Sequence, residues 1–173
     1  MEGRKGVAIK LTREKHALVD YEDAEYLLQF NWTAKTVKGS LWYAERWIPS
    51  GAGVKMHCEI MGHTGIDHRN RNGLDNRRSN LRDATVMQNQ WNIAAFRTNT
   101  SGFKGVYRAS KNRWYAMIMK HGKQNYLGMF KTPEEAAVVR DEASKRLHGE
   151  FAFLNFPDPL SDAGVPKMAR LSK

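Results

Sequence analysis

The chain carries a single cysteine, Cys58, and that scarcity removes whole classes of architecture. One thiol forms no intrachain disulfide and builds no finger or ribbon on paired cysteines, so a zinc-cysteine site is excluded and any metal must be held by oxygen and nitrogen ligands. No apolar stretch reaches the roughly 20 residues that a bilayer span needs, and the opening MEGRKG lacks a signal-peptide core. A soluble, cytoplasmic protein without a membrane partner is therefore expected. Acids are also short: 18 Asp and Glu stand against 28 Lys and Arg, a formal charge of +10 over 173 residues. Such an imbalance favours an abundant anionic partner, with nucleic acid ahead of an anionic membrane.

What is present divides into short, turn-bounded pieces. VAIKL at 7–11 and ALV at 17–19 read as a hairpin, followed by a helix over 23–30 that starts from Asp23. Aromatic and β-branched runs at 32–35 and 41–48 around Lys38-Gly39-Ser40 predict a second hairpin, with Trp32, Trp42 and Trp47 as its core. Residues 1–55 are thus a β-rich platform with one helix. Further on, Thr85 and Gln88 match a capping box and start a helix running toward Ala95. The polar segment 97–101 has no apolar period and reads as a linker. Runs at 105–108, 113–119 and 124–130, separated by tight turns, predict three antiparallel strands. Thr132-Pro133-Glu134-Glu135 then caps a helix whose buried face is Ala136, Val139, Ala143 and Leu147 and which Gly149 stops. The tail from Pro157 reads as loosely ordered.

The most informative stretch is IDHRNRNGLDNRRSNLR at 66–82. Cutting a phosphodiester requires a base to deprotonate water and a cation to offset charge on the phosphorane. His68 suits the first task, since its ordinary pKa lies near neutrality. On a strand its neighbour Asp67 points the opposite way, so one faces a metal and the other the water. Asn89, in the first turn of the capped helix, supplies a second oxygen ligand of the kind magnesium accepts. Asn72-Gly73 reads as a turn and residues 79–82 as a short second strand, giving a strand–loop–strand–helix order.

This run, with Ala84-Thr85 and Gln88-Asn89 after it, resembles the HNH (ββα-metal) endonucleases of the phage and intron-homing type. The resemblance implies that His68 is the general base, that Asp67 and Asn89 hold one divalent metal, and that Asn80 fixes the loop that orients the histidine. It favours Mg²⁺, with Mn²⁺ as a substitute. The upstream segment 56–62 resembles the family's lead-in, with Cys58 where arginine is usual. His57 is read either as packing beneath the site or as touching substrate. Arg69, Arg71, Arg77, Arg78 and Arg82 read as a grip on the phosphate backbone, against the plainer alternative of a solvated basic face.

Residues 101–156 resemble the Apetala/ethylene-response-factor DNA-binding domain through Lys104-Gly105-Val106, Arg113-Trp114-Tyr115-Ala116, Leu127-Gly128-Met129-Phe130, Glu134-Glu135-Ala136-Ala137 and Leu154-Asn155-Phe156. That family lays its sheet in the major groove with the helix packed behind. Two-residue alternation turns Trp114, Ala116 and Ile118 toward the helix and Arg113, Tyr115, Met117 and Met119 outward. The family's contact positions fall at Lys104, Tyr107, Ala109, Lys111, Arg113, Met117, Met119, Gln124 and Tyr126. Most differ from the plant residues, so the base preference does not transfer. His16, His63, His121 and His148 read as surface or packing residues, and Cys58 as a small buried side chain.

The combined expectation is an α+β chain: an HNH nuclease domain over 1–96, with its ββα-metal motif at about 56–96, a linker at 97–101, a sheet-plus-helix DNA-binding domain over 102–156, and a tail at 157–173. The function expected is metal-dependent cleavage of double-stranded DNA by a monomer or weak dimer inside a prokaryotic or phage-infected cell. The alternative is a DNA-binding regulator whose nuclease site has lapsed.

Overall fold

The computed structural model describes residues 6–37, 41–96, 98–120 and 122–157. It is α+β, built from four small antiparallel sheets and four α-helices. It divides into two compact units, residues 1–89 and 90–173. The segment 97–101 falls in the second unit, where Asn99 Nδ2 donates to the Phe103 carbonyl and Ser101 Oγ to that of Val106. Lys38-Gly39-Ser40, Arg97, His121 and the tail from Asp158 lie outside the described residues.

In the first unit, β1 (Gly6–Lys10) and β2 (His16–Asp20) form the expected hairpin, with Val7 opposite Val19 and Ile9 opposite Ala17. Helix α1 spans Tyr21–Leu27, two residues earlier than Asp23 suggested. Asp20 occupies the N-cap position but makes no side-chain cap bond, because its carboxylate accepts from the Arg78 backbone N–H instead (2.7 Å). Strands β3 (Thr33–Val37) and β4 (Leu41–Trp47) pair as predicted, and an unexpected third strand, β5 (Gly53–Lys55), joins β4. Trp32 is buried and its indole donates to the Leu27 carbonyl, but Trp47 is exposed, with the Lys35 ammonium over its ring. Trp47 is therefore no core residue: it ends β4 where the sheet meets solvent. Helix α2 (Met56–Met61) is held to β4 by Glu59, which accepts two bonds from Arg46 and one from the Tyr26 hydroxyl. The core beneath these elements is Ile9, Val19, Leu27, Trp32, Met56 and their neighbours.

Strands β6 (Ile66–His68) and β7 (Leu81–Asp83) pair antiparallel, with Asp67 opposite Arg82 and His68 opposite Leu81. Asn80 belongs to a 3-10 turn over Arg78–Asn80, not to the strand that was expected to start at Ser79. Helix α3 (Val86–Asn92) carries the predicted capping box: Gln88 N–H donates to Thr85 Oγ1 and Thr85 N–H to Gln88 Oε1.

In the second unit, β8 (Val106–Ser110), β9 (Arg113–Lys120) and β10 (Lys123–Phe130) form the predicted sheet, and α4 (Pro133–His148) packs on it behind a complete Thr132–Glu135 capping box. The face α4 buries is more polar than its apolar period implied. It consists of Ala136, Ala137, Arg140, Asp141, Ala143, Ser144 and His148, while Val139 is 37% exposed. Arg140 accounts for the difference, since its Nη1 donates to Asp141 and to the Phe153 carbonyl. Gly105 lets the chain pass: a Cβ there would lie 2.6 Å from the Met117 carbonyl, at a φ of +74° that L side chains rarely adopt.

Candidate functional site

The loop between β6 and β7 brings an unusual amount of polarity indoors. Asp67, His68, Asp75, Asn76, Asn80 and Arg82 are all buried. Buried polar groups are stable when they bond one another, and this set does. The Arg82 guanidinium donates to Asp67 Oδ2 through Nε (2.9 Å) and Nη2 (2.7 Å), an ion pair made possible because the two residues face each other across the β6–β7 ladder. Arg82, read from the sequence as a phosphate grip, is buried. This guanidinium is committed to a carboxylate inside the fold.

Asn80 braces the loop. Its Oδ1 accepts from the Asn70 N–H, and its Nδ2 donates to Asn70 Oδ1 and to the Asp75 carbonyl. Asn72 forms the turn, its carbonyl accepting from the Asp75 N–H and its side chain from the Leu74 N–H. Gly73 serves packing more than turning, because a Cβ there would strike the Tyr43 ring at 2.6 Å. The loop is also tied to the first hairpin. Leu18 N–H donates to the Leu74 carbonyl and Asn76 N–H to the Leu18 carbonyl, both at 2.7 Å.

His68 Nε2 lies 3.2 Å from Asn76 Oδ1. With the Asn76 oxygen as acceptor, a neutral ring would carry its proton on Nε2 and its lone pair on Nδ1. Burial lowers the His68 pKa from its ordinary value, against the opposing pull of Asn76 and of the Asp67 and Asp75 charges. The His57 ring stands edge-on to His68, centroids 4.7 Å apart, and Tyr43 touches both. His57 is pushed down to about 3, by burial first and then by His68, and its Nδ1 is buried without a hydrogen-bond partner. His57 is thus a buried imidazole packed against His68 and Tyr43. Tyr43, whose hydroxyl burial raises, has no sequence signal, since it is an ordinary aromatic in a strand.

The other arginines differ in their commitments. Arg77 is paired with Asp75 and Arg78 with Asp23, each side chain still partly open to solvent. Arg69 is exposed, and Arg71 is half-buried at a φ of +62°. Asn89 is exposed on α3. Among the described residues, no group of three or more His, Cys, Asp or Glu side chains is placed to hold a metal. Of the expected ligand pair, one carboxylate and one amide oxygen of the kind magnesium accepts, Asp67 is buried against Arg82 and Asn89 is exposed. Cys58 is partly buried, and burial raises its thiol pKa.

In the second unit, Tyr107, Lys111, Arg113, Gln124 and Tyr126 are exposed and Tyr115 half-buried. Lys104 is turned inward, its ammonium donating to the Gln90, Trp91 and Ile93 carbonyls. His148 is buried, stacked on Trp91 at 4.3 Å with Nε2 bonded to the Met119 carbonyl, and so is a packing residue. His63 pairs with Asp83 on the surface.

Protein 3.8 of phage T7 is 33% identical to this chain over 88 residues, which cover 50% of the chain and 72% of the phage protein. The chain belongs to the protein 3.8 family. This family member is also similar to an uncharacterized HNH endonuclease of Acanthamoeba polyphaga mimivirus, 37% identical over 90 residues that cover 52% of the chain and 46% of the viral protein. A dehydration-responsive element-binding protein of Oryza sativa is 44% identical over 57 residues, covering 32% of the chain and 18% of the plant protein. The chain thus spans less than half the length of the mimivirus and rice relatives it matches. No family model matches the chain, and no solved structure does.

Proposed function

We propose that this protein is a metal-dependent endonuclease that hydrolyses phosphodiester bonds in double-stranded DNA. The observation that carries the reading is His68: a buried imidazole whose Nε2 lies 3.2 Å from Asn76 Oδ1, beside Asp67 and on a loop braced by Asn80. Similarity to a protein named as an HNH endonuclease and to a dehydration-responsive element-binding protein supports the reading for each activity in turn.

In the proposed reaction His68 Nδ1 accepts a proton from water as the water oxygen attacks phosphorus. The bond from phosphorus to the 3′ oxygen then breaks, leaving a 5′ phosphate and a 3′ hydroxyl once that oxygen is protonated. Its lowered pKa keeps His68 unprotonated, and so able to act as base, to a lower pH than an ordinary histidine. Asp67 and Asn89 would hold one divalent cation, Mg²⁺ or Mn²⁺, which when bound supplies charge compensation at the phosphorane and the leaving oxygen. Arg69, Arg71, Arg77 and Arg78 would hold the substrate backbone near the loop. The exposed sheet of the second unit, with Lys111, Arg113, Tyr115 and Gln124, would dock on the duplex. One proposed site per chain makes a single-strand nick the default for a monomer, while a double-strand break would need a weak dimer or two successive cuts.

Supercoiled plasmid incubated with the protein and Mg²⁺ should be nicked, and His68→Ala should slow nicking by about 100- to 10,000-fold, the usual worth of a general base. Undiminished cutting by that variant would overturn the assignment. A second reading, DNA binding by a lapsed nuclease, draws on the two Arg82 bonds that already engage Asp67. Plasmid retardation with no cutting in either Mg²⁺ or Mn²⁺ would favour it.

A further inference from the structure

The second unit's sheet has one covered face and one open face, and strand pairing says which side chains belong to the open one. Tyr107 lies opposite Tyr115, and on the other side of β9 Met129 also lies opposite Tyr115. One row along, Tyr126 faces Met117, and beyond it Gln124 faces Met119. Cross-strand partners project to the same side, and Ala116 and Ile118, which alternate with these residues in β9, are buried on the opposite face. The open face is therefore a carpet of tyrosine and methionine with one carboxamide, and with Arg113 at the end of the same β9 row. Tyr107 and Tyr115 stack with centroids 5.3 Å apart, and Tyr126 continues the row at 6.4 Å from Tyr115. Tyr126 is 59% exposed and Met119 42%.

The charge around this carpet argues for its occupant. From Lys104 to Lys131 the chain has seven Lys and Arg and no Asp or Glu. The acids of this unit's helix, Glu134, Glu135, Asp141 and Glu142, lie on α4 behind the sheet. An apolar protein partner would not need such segregation, whereas a polyanion does. The inference rests on the DNA-binding reading above and goes on to base preference. Guanine is read by arginine or lysine forking onto O6 and N7, and the paired rows at the centre of this face contain neither. Arg113 opens β9 at its end, and Lys111 lies in the turn. What the centre offers is carbon surface, which suits the 5-methyl group of thymine, and the Gln124 carboxamide, which suits adenine N6 and N7. We infer that the Tyr/Met face of β8, β9 and β10 selects A·T-rich duplex by packing Met117, Met119 and Tyr126 on thymine methyl groups in the major groove.

The test selects a preferred site for the full chain from a randomised duplex library, with a chelator present to prevent cutting. Affinity is then measured for that site with thymidine replaced by deoxyuridine, which deletes the methyl groups and nothing else. An A·T-rich site is expected, with about a 4-fold loss of affinity for each contacted methyl removed. Met119→Ala should weaken binding to the thymidine duplex while narrowing the gap between the two duplexes. A G·C-rich selected site, or equal affinity for both duplexes, overturns the inference and leaves DNA binding standing. Stronger binding to single strands than to duplex also overturns it, since the tyrosine row would then be a stacking platform for unpaired bases. No binding to any DNA removes the underlying reading as well.

Discussion

The loop over 66–82 and the open sheet face of the second unit are both candidate contacts with DNA, yet they are built in opposite ways. In the loop, Asp67, His68, Asn76 and Asn80 are withdrawn from water, with Asp67 bonded to Arg82, His68 to Asn76, and Asn80 to Asn70 and Asp75. On the sheet, Tyr107, Met119 and Tyr126 stand in solvent, and the surrounding cations have no acids among them in the strands. The contrast fits the two proposed tasks. Chemistry at phosphorus needs groups already in place before substrate arrives, so desolvation is offset by internal bonds and little freedom is left to lose. Reading a duplex needs side chains whose bonding capacity is still open, because specificity comes from contacts made only in the complex.

Substitution should expose that difference most strongly at Arg82. Arg82→Ala leaves the Asp67 carboxylate buried without its cross-strand partner and should cost about 3–5 kcal/mol of stability in urea titrations. A loss below about 1 kcal/mol would show that the loop is not preorganised by this pair. An effect of similar size is expected from pH. His57 has a folded pKa of about 3 against an ordinary 6.5, so the unfolded chain binds the extra proton across that window. Stability should be unaffected by this group above pH 6.5 and fall toward pH 3 by up to about 1.4 kcal/mol per pH unit. His57→Phe should flatten that acid slope by about one proton, and an unchanged slope would mean that His57 is not held neutral in the native state. Smallest of all, Met119→Ala on the open face should shift stability by no more than about 0.5 kcal/mol, even though the same change is expected to alter DNA discrimination. A large destabilisation there would make Met119 a core residue and erase the contrast.

Local signals carried much of the reading. The Thr85 and Thr132 capping boxes, the hairpin turns and the sheet-plus-helix order of the second unit all depend on residues a few positions apart, and the structure has them. The strand with Asp67 and His68, the second strand and α3 likewise fall in the expected order, with Asn80 in the turn just before the second strand. What was not legible depends on partners distant in sequence. Asp20 leaves its cap because Arg78, far along the chain, presents an N–H to it. Trp47 escapes the core although its composition is that of a core strand, and Arg140 is buried in a helix face whose period favoured Val139. Arg82 looked like one basic residue among five, and only the strand register reveals that it faces Asp67. Asn76, which holds His68, carries no pattern that sets it apart from the other asparagines of the loop.

The bonds from Leu18 to Leu74 and Asn76 make the first hairpin a foundation of the loop, and Asp20 and Asp23 add two more footings through Arg78. Residues 56–96 are therefore a poor transplantable cassette. A graft of that segment into another scaffold would carry Asp67, His68, Asn80 and Asn89 in order but leave behind the bench on which the loop is clamped. A working transplant would have to begin upstream of β1.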